Sequence, residues 1–318
     1  KKISLFCNVD IKNVIETVDV KTIYEAPISF FREKLDVQVL NYFNLKTNKN
    51  EKYRADTAML SGGGNAGNAS VAVARLGANS TIFSAVGKDD VGSLILAKLQ
   101  RESVNTEFVL TIENWQSSFS SVFVDINGER QIMNYRNSLP EGAAKSILGF
   151  PVYDAYLSDS RWNEAAIATL SLAKKLKKPG ILDAEAPVSD QAVELASHVA
   201  FSKQGLSHFT NKEDVTASLK VIENDFNSWA CVTDGSNGVY FLEEGILCNL
   251  PAPEINAKDT LGAGDVWHGA FTVCLAEGKS EREAIKFSNL AAAIKCTKFG
   301  GQSSIPTRTE INEFINSK

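Results

Sequence analysis

Two carboxylates, Asp259 and Asp265, close the run Asp259-Thr260-Leu261-Gly262-Ala263-Gly264-Asp265, which leads directly into the apolar stretch Val266 to Ala276. A helix start leaves backbone amides unpaired and carries partial positive charge, and small residues there let an anion come close. The run therefore reads as a phosphate-handling helix start. Asp265, on the first turn, would stand beside the anion as a proton acceptor. A lone G-x-G-D would be an ordinary capped loop, but other segments of the chain agree with the chemical reading.

The first is Gly62-Gly63-Gly64-Asn65-Ala66-Gly67-Asn68, which matches G-x-G-x-x-G with a helix after it and Asp89 some twenty residues on. That is a dinucleotide-binding fingerprint in outline. The alternative is that the glycines bring backbone close to a polyhydroxy ligand while the two asparagine amides offer donors and acceptors to its hydroxyls. Capping is the plain structural role for either asparagine. The second segment, Thr233-Asp234-Gly235-Ser236-Asn237-Gly238, follows the apolar Ala230 to Val232; it is a plain turn or a loop over nucleotide phosphates. Gly278-Lys279-Ser280 has a P-loop ending, yet the required earlier glycine falls on Val273. The histidines His198, His208 and His268 form no metal pattern. His268, three residues after Asp265, reads as packing.

Bulk properties narrow the classes. With 318 residues and 44% apolar composition the chain can bury a substantial core. The net charge of −5 gives no basic field, so nucleic acid is not an expected partner. Cys7, Cys231, Cys248, Cys274 and Cys296 are scattered among apolar neighbours without metal or disulfide spacing, as reduced core residues of a cytoplasmic protein would be. No apolar run reaches 18 residues and no signal-peptide pattern is present, which argues against a membrane partner.

The elements that must position these groups follow from periodicity. Ile3 to Val9 reads as a buried first strand delivering Asp10 to a site, and residues 11 to 61 as edge strands and loops. A small-residue helix runs from Gly62 to a Gly77 stop, then a strand over Thr81 to Val86 and a helix over Asp90 to Glu102. Asn127-Gly128 signals a hairpin between Ser120–Ile126 and Glu129–Tyr135, expected to pair with strands from 11 to 61 in a lid sheet. From Tyr153 the texture is βαβ: strands at 155–158, 181–183 and 199–202, with helices at 163–176 and 190–196. A second hairpin region at 230–249 and helices at 281–296 and 309–316 finish the chain. Alternation of this kind predicts a parallel sheet covered by helices on both faces.

Taken together, Gly62 to Gly77, Val232 to Gly238 and Asp259 to Asp265 resemble the ribokinase-like, or PfkB, family of carbohydrate kinases. The resemblance covers nearly the whole chain. It implies a three-layer α/β/α sandwich with a small β-sheet lid in one kinase domain over 1–318, the lid from about 11–61 and 117–136 and the α/β core from 1–10, 62–116 and 137–318. It further implies ATP and Mg²⁺, raises a monovalent cation as a second ion, and implies transfer of the γ-phosphoryl group to a sugar hydroxyl. The family's base maps to Asp265, and its anion hole to the amides of Gly262, Ala263 and Gly264. Thr233, Gly235, Ser236, Gly238 and Asn289 map to the nucleotide side, and Asp259 to a shaping or cation-side role. A homodimer through the lid is the implied assembly.

Finer likeness points to ketose-using branches. Gly64-Asn65-Ala66-Gly67-Asn68 is similar to the G-N-A-S-N of ketohexokinases, whose asparagines, with an Asp matching Asp10, hold the sugar. Ser158 to Trp162, Phe201 to Leu206 and Lys295 to Gly301 look more like sulfofructose kinase, where Asn134 and Arg161 would read the sulfonate. Arg suits such an anion because its planar fork pairs bidentately with oxygens; its plain role is a salt bridge at a strand end. The chain departs from the family where the metal-organising N-x-x-E becomes Ser202-Lys203-Gln204-Gly205, from the sulfofructose branch where Gly-Pro becomes Gly64-Asn65, and in the length of 11–61. The resulting expectation is phosphorylation of a primary hydroxyl of fructose or an acidic fructose derivative. Two other readings are a nucleoside kinase, with Phe30, Phe31 and Tyr42 stacking on a base, and an NAD-dependent oxidoreductase using Gly62 to Gly67.

Overall fold

The computed structural model describes residues 59, 61–124, 130–138 and 142–316. The chain divides into two compact units. The larger holds Gly63–Phe83, Leu99–Phe108 and the described residues from 142 onward. Its elements are helix α1 (Asn65–Arg75), the short parallel pair β1 (Ser80–Thr81) and β2 (Val104–Asn105), then β3 (Tyr156–Asp159), α2 (Asn163–Leu176), β4 (Gly180–Ala184), α3 (Asp190–Leu195), β5 (His198–Ser202), α4 (Lys203–Thr210), α5 (Val215–Val221), β6 (Trp229–Thr233), β7 (Val239–Glu243), β8 (Ile246–Leu250), α6 (Ala263–Ala276), α7 (Glu281–Cys296) and α8 (Arg308–Asn316).

Strands β3 to β8 make one sheet in the spatial order β8-β7-β6-β5-β4-β3, parallel from β3 to β6 and antiparallel through the closing hairpins. Every residue of β4 is buried, as a parallel strand covered on both faces requires. The period of two sorts the side chains. Leu182, Val199, Phe201 and Val232 join one core cluster with Leu170, Val193, Leu206 and Leu219 of helices α2 to α5. Ile181, Ala200 and Cys231 turn the other way, into a cluster with Trp267, Phe271, Cys274 and Ile285 of α6 and α7. Asp183, two residues after Ile181, is thereby delivered to the α6 side at the carboxyl end of its strand.

Helix α6 is buried along nearly its whole length and lies against α1. Gly269 makes that approach possible: a Cβ there would sit 2.7 Å from the carbonyl oxygen of Ala69 and 3.0 Å from the Ala72 Cβ. Helix α7 starts with a capping box in which Ser280 and Glu283 exchange hydrogen bonds with each other's backbone amides.

The smaller unit contains Ser84–Lys98 and the described residues of Val109–Ser138. Ser84–Gly87 pairs in parallel with Val109–Ile112, and Phe119–Val124 pairs antiparallel with Arg130–Tyr135 in a register that sets Ser120 opposite Asn134. The hairpin thus forms around its expected turn, which itself lies outside the described residues, as does most of the lid sheet and lid dimer expected from 11–61. Asp89 accepts from the Gly92 amide (2.6 Å) and from the amide and hydroxyl of Ser117 (2.8 and 2.7 Å), which ties its loop together.

Two expectations need correction. Thr81 to Val86 is not one strand but two, Ser80–Thr81 and Ser84–Gly87, with Phe83 at the break stacked on Trp162 and edge-on to Phe150. Helices α4 and α5 fall in a stretch read without elements; Ser202 and Asp214 cap them by accepting from the Gly205 and Ala217 amides. Among the described residues no helix is long and apolar enough to cross a membrane, and Cys231, Cys248, Cys274 and Cys296 are not in disulfides. Gly269→Ala should destabilise the protein by about 1–3 kcal/mol, because the methyl group must push α6 away from Ala69 in a packed interface. Denaturant unfolding checks this, and unchanged stability would show that the helices do not need the close approach.

Candidate active site

Asn65 and Asn68 stand on successive turns at the start of α1, facing a group of acidic residues. Asn65 Nδ2 donates to Asp183 Oδ2 at 3.3 Å and reaches Glu185 Oε2 at 3.5 Å. Asn68 Nδ2 donates to Asp265 Oδ2 at 2.7 Å, and its Oδ1 is buried without a hydrogen-bond partner. Gly62 to Gly64 lead into α1 as irregular chain, with Gly64 at φ +81° in the cap position. Gly262 caps α6 at φ +76°, and a Cβ on it would lie 3.2 Å from Asn68 Nδ2. Both glycine-led helix starts therefore converge, with Asp265 between them on the first turn of α6.

Burial decides the electrostatics. Desolvation pushes the Asp265 carboxyl up to about 6, opposed by the Asn68 hydrogen bond, which favours the ionised form. Asp183 is pushed to about 8 by burial and then by the neighbouring Glu185 and Asp159 carboxylates. Burial also raises Asp159, at the end of β3. His268, one turn after Asp265, is driven down to about 4 by burial. Its Nδ1 lies 3.2 Å from Asp183 Oδ1, off the line a hydrogen bond needs. Neutral His268 beside protonated Asp183 keeps this buried pair uncharged. A sequence pattern alone could not distinguish this histidine from packing, and Asp183 and Glu185 carried no motif signal at all.

The remaining expected residues divide. Arg161 is bonded through its guanidinium to Glu185 and to the Ala186 carbonyl (3.3 Å), a salt bridge at a strand end. Asn134 belongs to the smaller unit, where it is exposed and donates to Ser120 Oγ at 2.7 Å. Asn289 is buried with its amide fully engaged: Oδ1 accepts from Trp267 Nε1 (2.8 Å), and Nδ2 donates to the Leu250 and Pro251 carbonyls (2.9 and 3.3 Å). It joins α7 to α6 and to the end of β8. Of the three anion-hole amides, that of Ala263 turns to the Thr260 carbonyl at 3.2 Å. Thr233 ends β6, and Gly235 to Asn237 form one 3-10 turn closed by Gly238 at φ +87°. A Cβ on Gly238 would meet the Leu250 carbonyl at 2.1 Å, so that loop is tied to β8.

At the position of the family's N-x-x-E, Ser202 caps α4 and Lys203 Nζ lies 3.2 Å from Asp234 Oδ2. Among the described residues no group of three or more His, Cys, Asp and Glu could hold a metal ion. The described side chains therefore form no all-protein cage for Mg²⁺, which is ordinarily held by one or two carboxylates together with nucleotide phosphates. Asp10 lies outside the described residues.

The raised Asp183 has a consequence for stability. Between the unfolded value near 3.8 and about 8 the folded state binds the extra proton, so this residue's contribution to stability falls as pH rises through that window. Asp183→Asn should stabilise the protein increasingly from pH 4 to pH 8, by on the order of a few kcal/mol at the upper end. Thermal melts across that range check it. Stability lost at neutral pH would instead place the proton on His268 as a true ion pair.

Comparison with known proteins separates the chain into two parts. Residues 1–45 match the model for the CTP synthase N-terminus, and 49 residues are 86% identical to CTP synthase of Pelagibacter ubique, covering 15% of this chain but 9% of that enzyme. Asp10 falls in this segment, so the kinase resemblance does not support its expected place at the sugar. The remainder is similar to ribokinase of Haemophilus influenzae, 28% identical over 286 residues, 85% of this chain and 92% of that one. Fructokinase of Vibrio alginolyticus is 27% identical over 296 residues, 80% and 91% of the two chains. Among solved structures, an Agrobacterium tumefaciens protein assigned as a ribokinase aligns with a TM-score of 0.74 and 31% identity, covering 84% of this chain and 92% of its own. Ribokinase of Thermotoga maritima aligns at 0.69 and 23%, covering 84% and 91%, which speaks for the same ribokinase-like fold. The family model for pfkB carbohydrate kinases matches residues 37–308, and the chain belongs to that family of phosphotransferases.

Proposed function

We propose that the protein transfers the γ-phosphoryl group of ATP to the primary hydroxyl of a neutral sugar, ribose or fructose. The observation that carries this reading is Asp265 at the start of α6, held by Asn68 from the glycine-led start of α1. A carboxylate there can accept a hydroxyl proton, while first-turn amides of α6 face the charge that builds on the moving phosphoryl oxygens. In phosphoryl transfer the enzyme mainly positions reactants and offsets charge, so these two devices account for most of what the protein must supply. Mg²⁺ would enter with the nucleotide, neutralising its phosphates.

Two observations favour a neutral acceptor over the acidic fructose derivative of the sulfofructose branch. The described acidic side chains gathered near Asp265 are Asp159, Asp183 and Glu185, and the guanidinium beside them, Arg161, is already paired with Glu185. A sulfonate or carboxylate brought into this desolvated acidic group would raise its proton affinities further, which disfavours binding an anion there. The named relatives, too, are ribokinases and fructokinases. The oxidoreductase reading loses its footing because Asp89, the acidic residue it needs, is consumed within its own loop.

Transfer from ATP should occur with ribose or fructose and be weakest with sulfofructose and nucleosides; preferential turnover of sulfofructose would sink the neutral-sugar reading. Asp265→Asn should lower kcat by about 10²–10⁴-fold with the fold intact. The pH profile of kcat/KM should show an acid limb near pH 6, activity rising as Asp265 loses its proton. Removing the hydrogen bond that favours the ionised form, by Asn68→Ala, should move that limb upward. A limb that stays in place, or moves down, would mean that another group titrates.

A further inference from the structure

Lys295, in the last turn of α7, is 1% exposed. Lysine is almost never buried without a partner. Its partners lie on one residue of the phosphate loop: Nζ donates to the Asp259 main-chain oxygen at 3.0 Å and lies 3.3 Å from Asp259 Oδ2. The same helix end also holds the loop by its backbone, since the Lys258 and Asp259 amides donate to the Cys296 carbonyl at 2.7 and 3.1 Å. Asp259 Oδ1 in turn accepts from the Leu261 amide at 2.9 Å, which shapes the chain just before Gly262 takes its left-handed turn into α6. A cation suits this place twice over, facing a carboxylate and sitting at a helix C-terminus where the dipole is negative.

The sequence resemblance raises a monovalent cation beside Asp259. The oxygens of Asp259 that would ligate one point at the Lys295 ammonium instead, so the residues present do not fit a bound ion there. We propose that Lys295 serves as a built-in monovalent cation, its ammonium fixing Asp259 to Gly262 and freeing the enzyme from any need for potassium. The inference rests on the kinase reading for its activity arm only. Lys295 touches no substrate; it is a positioning residue, acting through the loop whose amides face the phosphoryl group.

The test uses the 318-residue chain and its Lys295→Met variant, which keeps an unbranched stem and removes the charge. Each is melted, and assayed with ATP, Mg²⁺ and the best sugar, in choline, sodium, potassium or ammonium chloride at equal ionic strength. Wild-type melting temperature and turnover should not respond to the choice of cation beyond about twofold in rate. The variant should lose at least about tenfold in kcat in choline and recover much of it in potassium or ammonium, with a melting temperature that those ions raise. Lys295→Gln provides a second variant should Met fail to fold. Wild-type stimulation by potassium overturns the proposal. So does a folded variant that keeps full turnover in choline, or one that is slow and deaf to every cation, which marks Lys295 as a strut. Were the wild type to phosphorylate no sugar at all, the kinase reading would fall, while the melting response to potassium would still decide the cation question.

Discussion

The contact between α1 and α6 is the constraint on which the site depends. Because Gly269 lacks a side chain, the helices close to a distance at which the Ala69 carbonyl and the Ala72 methyl group fill its place. Only at that separation can an asparagine on α1 reach a carboxylate on the first turn of α6 at 2.7 Å. The run of small residues in α1, with Ala69 to Ala72 buried, is the matching surface on the other side. Each helix start is also a glycine at positive φ, Gly64 and Gly262, so both amide-bearing ends can be presented without side chains in front of them. Packing one turn further along thus sets the chemistry at the ends.

The sheet supplies the second half of the site by arithmetic. Parallel strands bring polar groups to their carboxyl ends, and the period of two decides which layer receives them. Ile181 belongs to the cluster with Trp267 and Phe271, so Asp183 must emerge on the same side, against His268. One residue of slip in β4 would send Asp183 into the opposite cluster with Leu170 and Leu219.

What could be read from the chain follows from what each signal encodes. The βαβ alternation after Tyr153 and the run Asp259 to Asp265 state their physics locally, and the observed helices over 163–176 and 281–296 match their expected limits. Gly64, Asn65 and Asn68 were legible as a group because glycine before amide side chains at a helix start has few other uses. Asp183 and Glu185 were not, since a carboxylate after a short apolar run looks the same whether it faces solvent or a buried site. Arg161 and Asn289 show the converse: their side chains suit a ligand, and the sequence carries no sign of the tertiary partners that engage them, Glu185 for one and Trp267 with two carbonyls for the other. Asp10 shows a further limit. An apolar run ending in polar residues marks the end of a buried strand in any α/β protein, and nothing in Ile3 to Asp10 told a kinase strand from a segment resembling CTP synthase.

The charge balance explains why Asp265 is the carboxylate suited to act as base in the proposed transfer. Asp159, Asp183, Glu185 and Asp265 could not all ionise together in so little water. Glu185 is neutralised by Arg161, and Asp183 keeps its proton beside a histidine that burial has stripped of its own. Asp265 is the member that receives a hydrogen bond favouring its ionised form, from Asn68, and it sits at the helix end whose dipole favours negative charge. Its proton affinity therefore settles near 6, low enough to be ionised at neutral pH and high enough to take a proton from a hydroxyl as the new bond to phosphorus forms. On the far side of the same loop the ammonium of Lys295 balances Asp259, so the two ends of the motif carry opposite electrostatic tasks. Asp259 is tied down by Lys295 and the Leu261 amide to shape the turn, while burial holds Asp265 close to its titration point, as a group that is to exchange a proton requires.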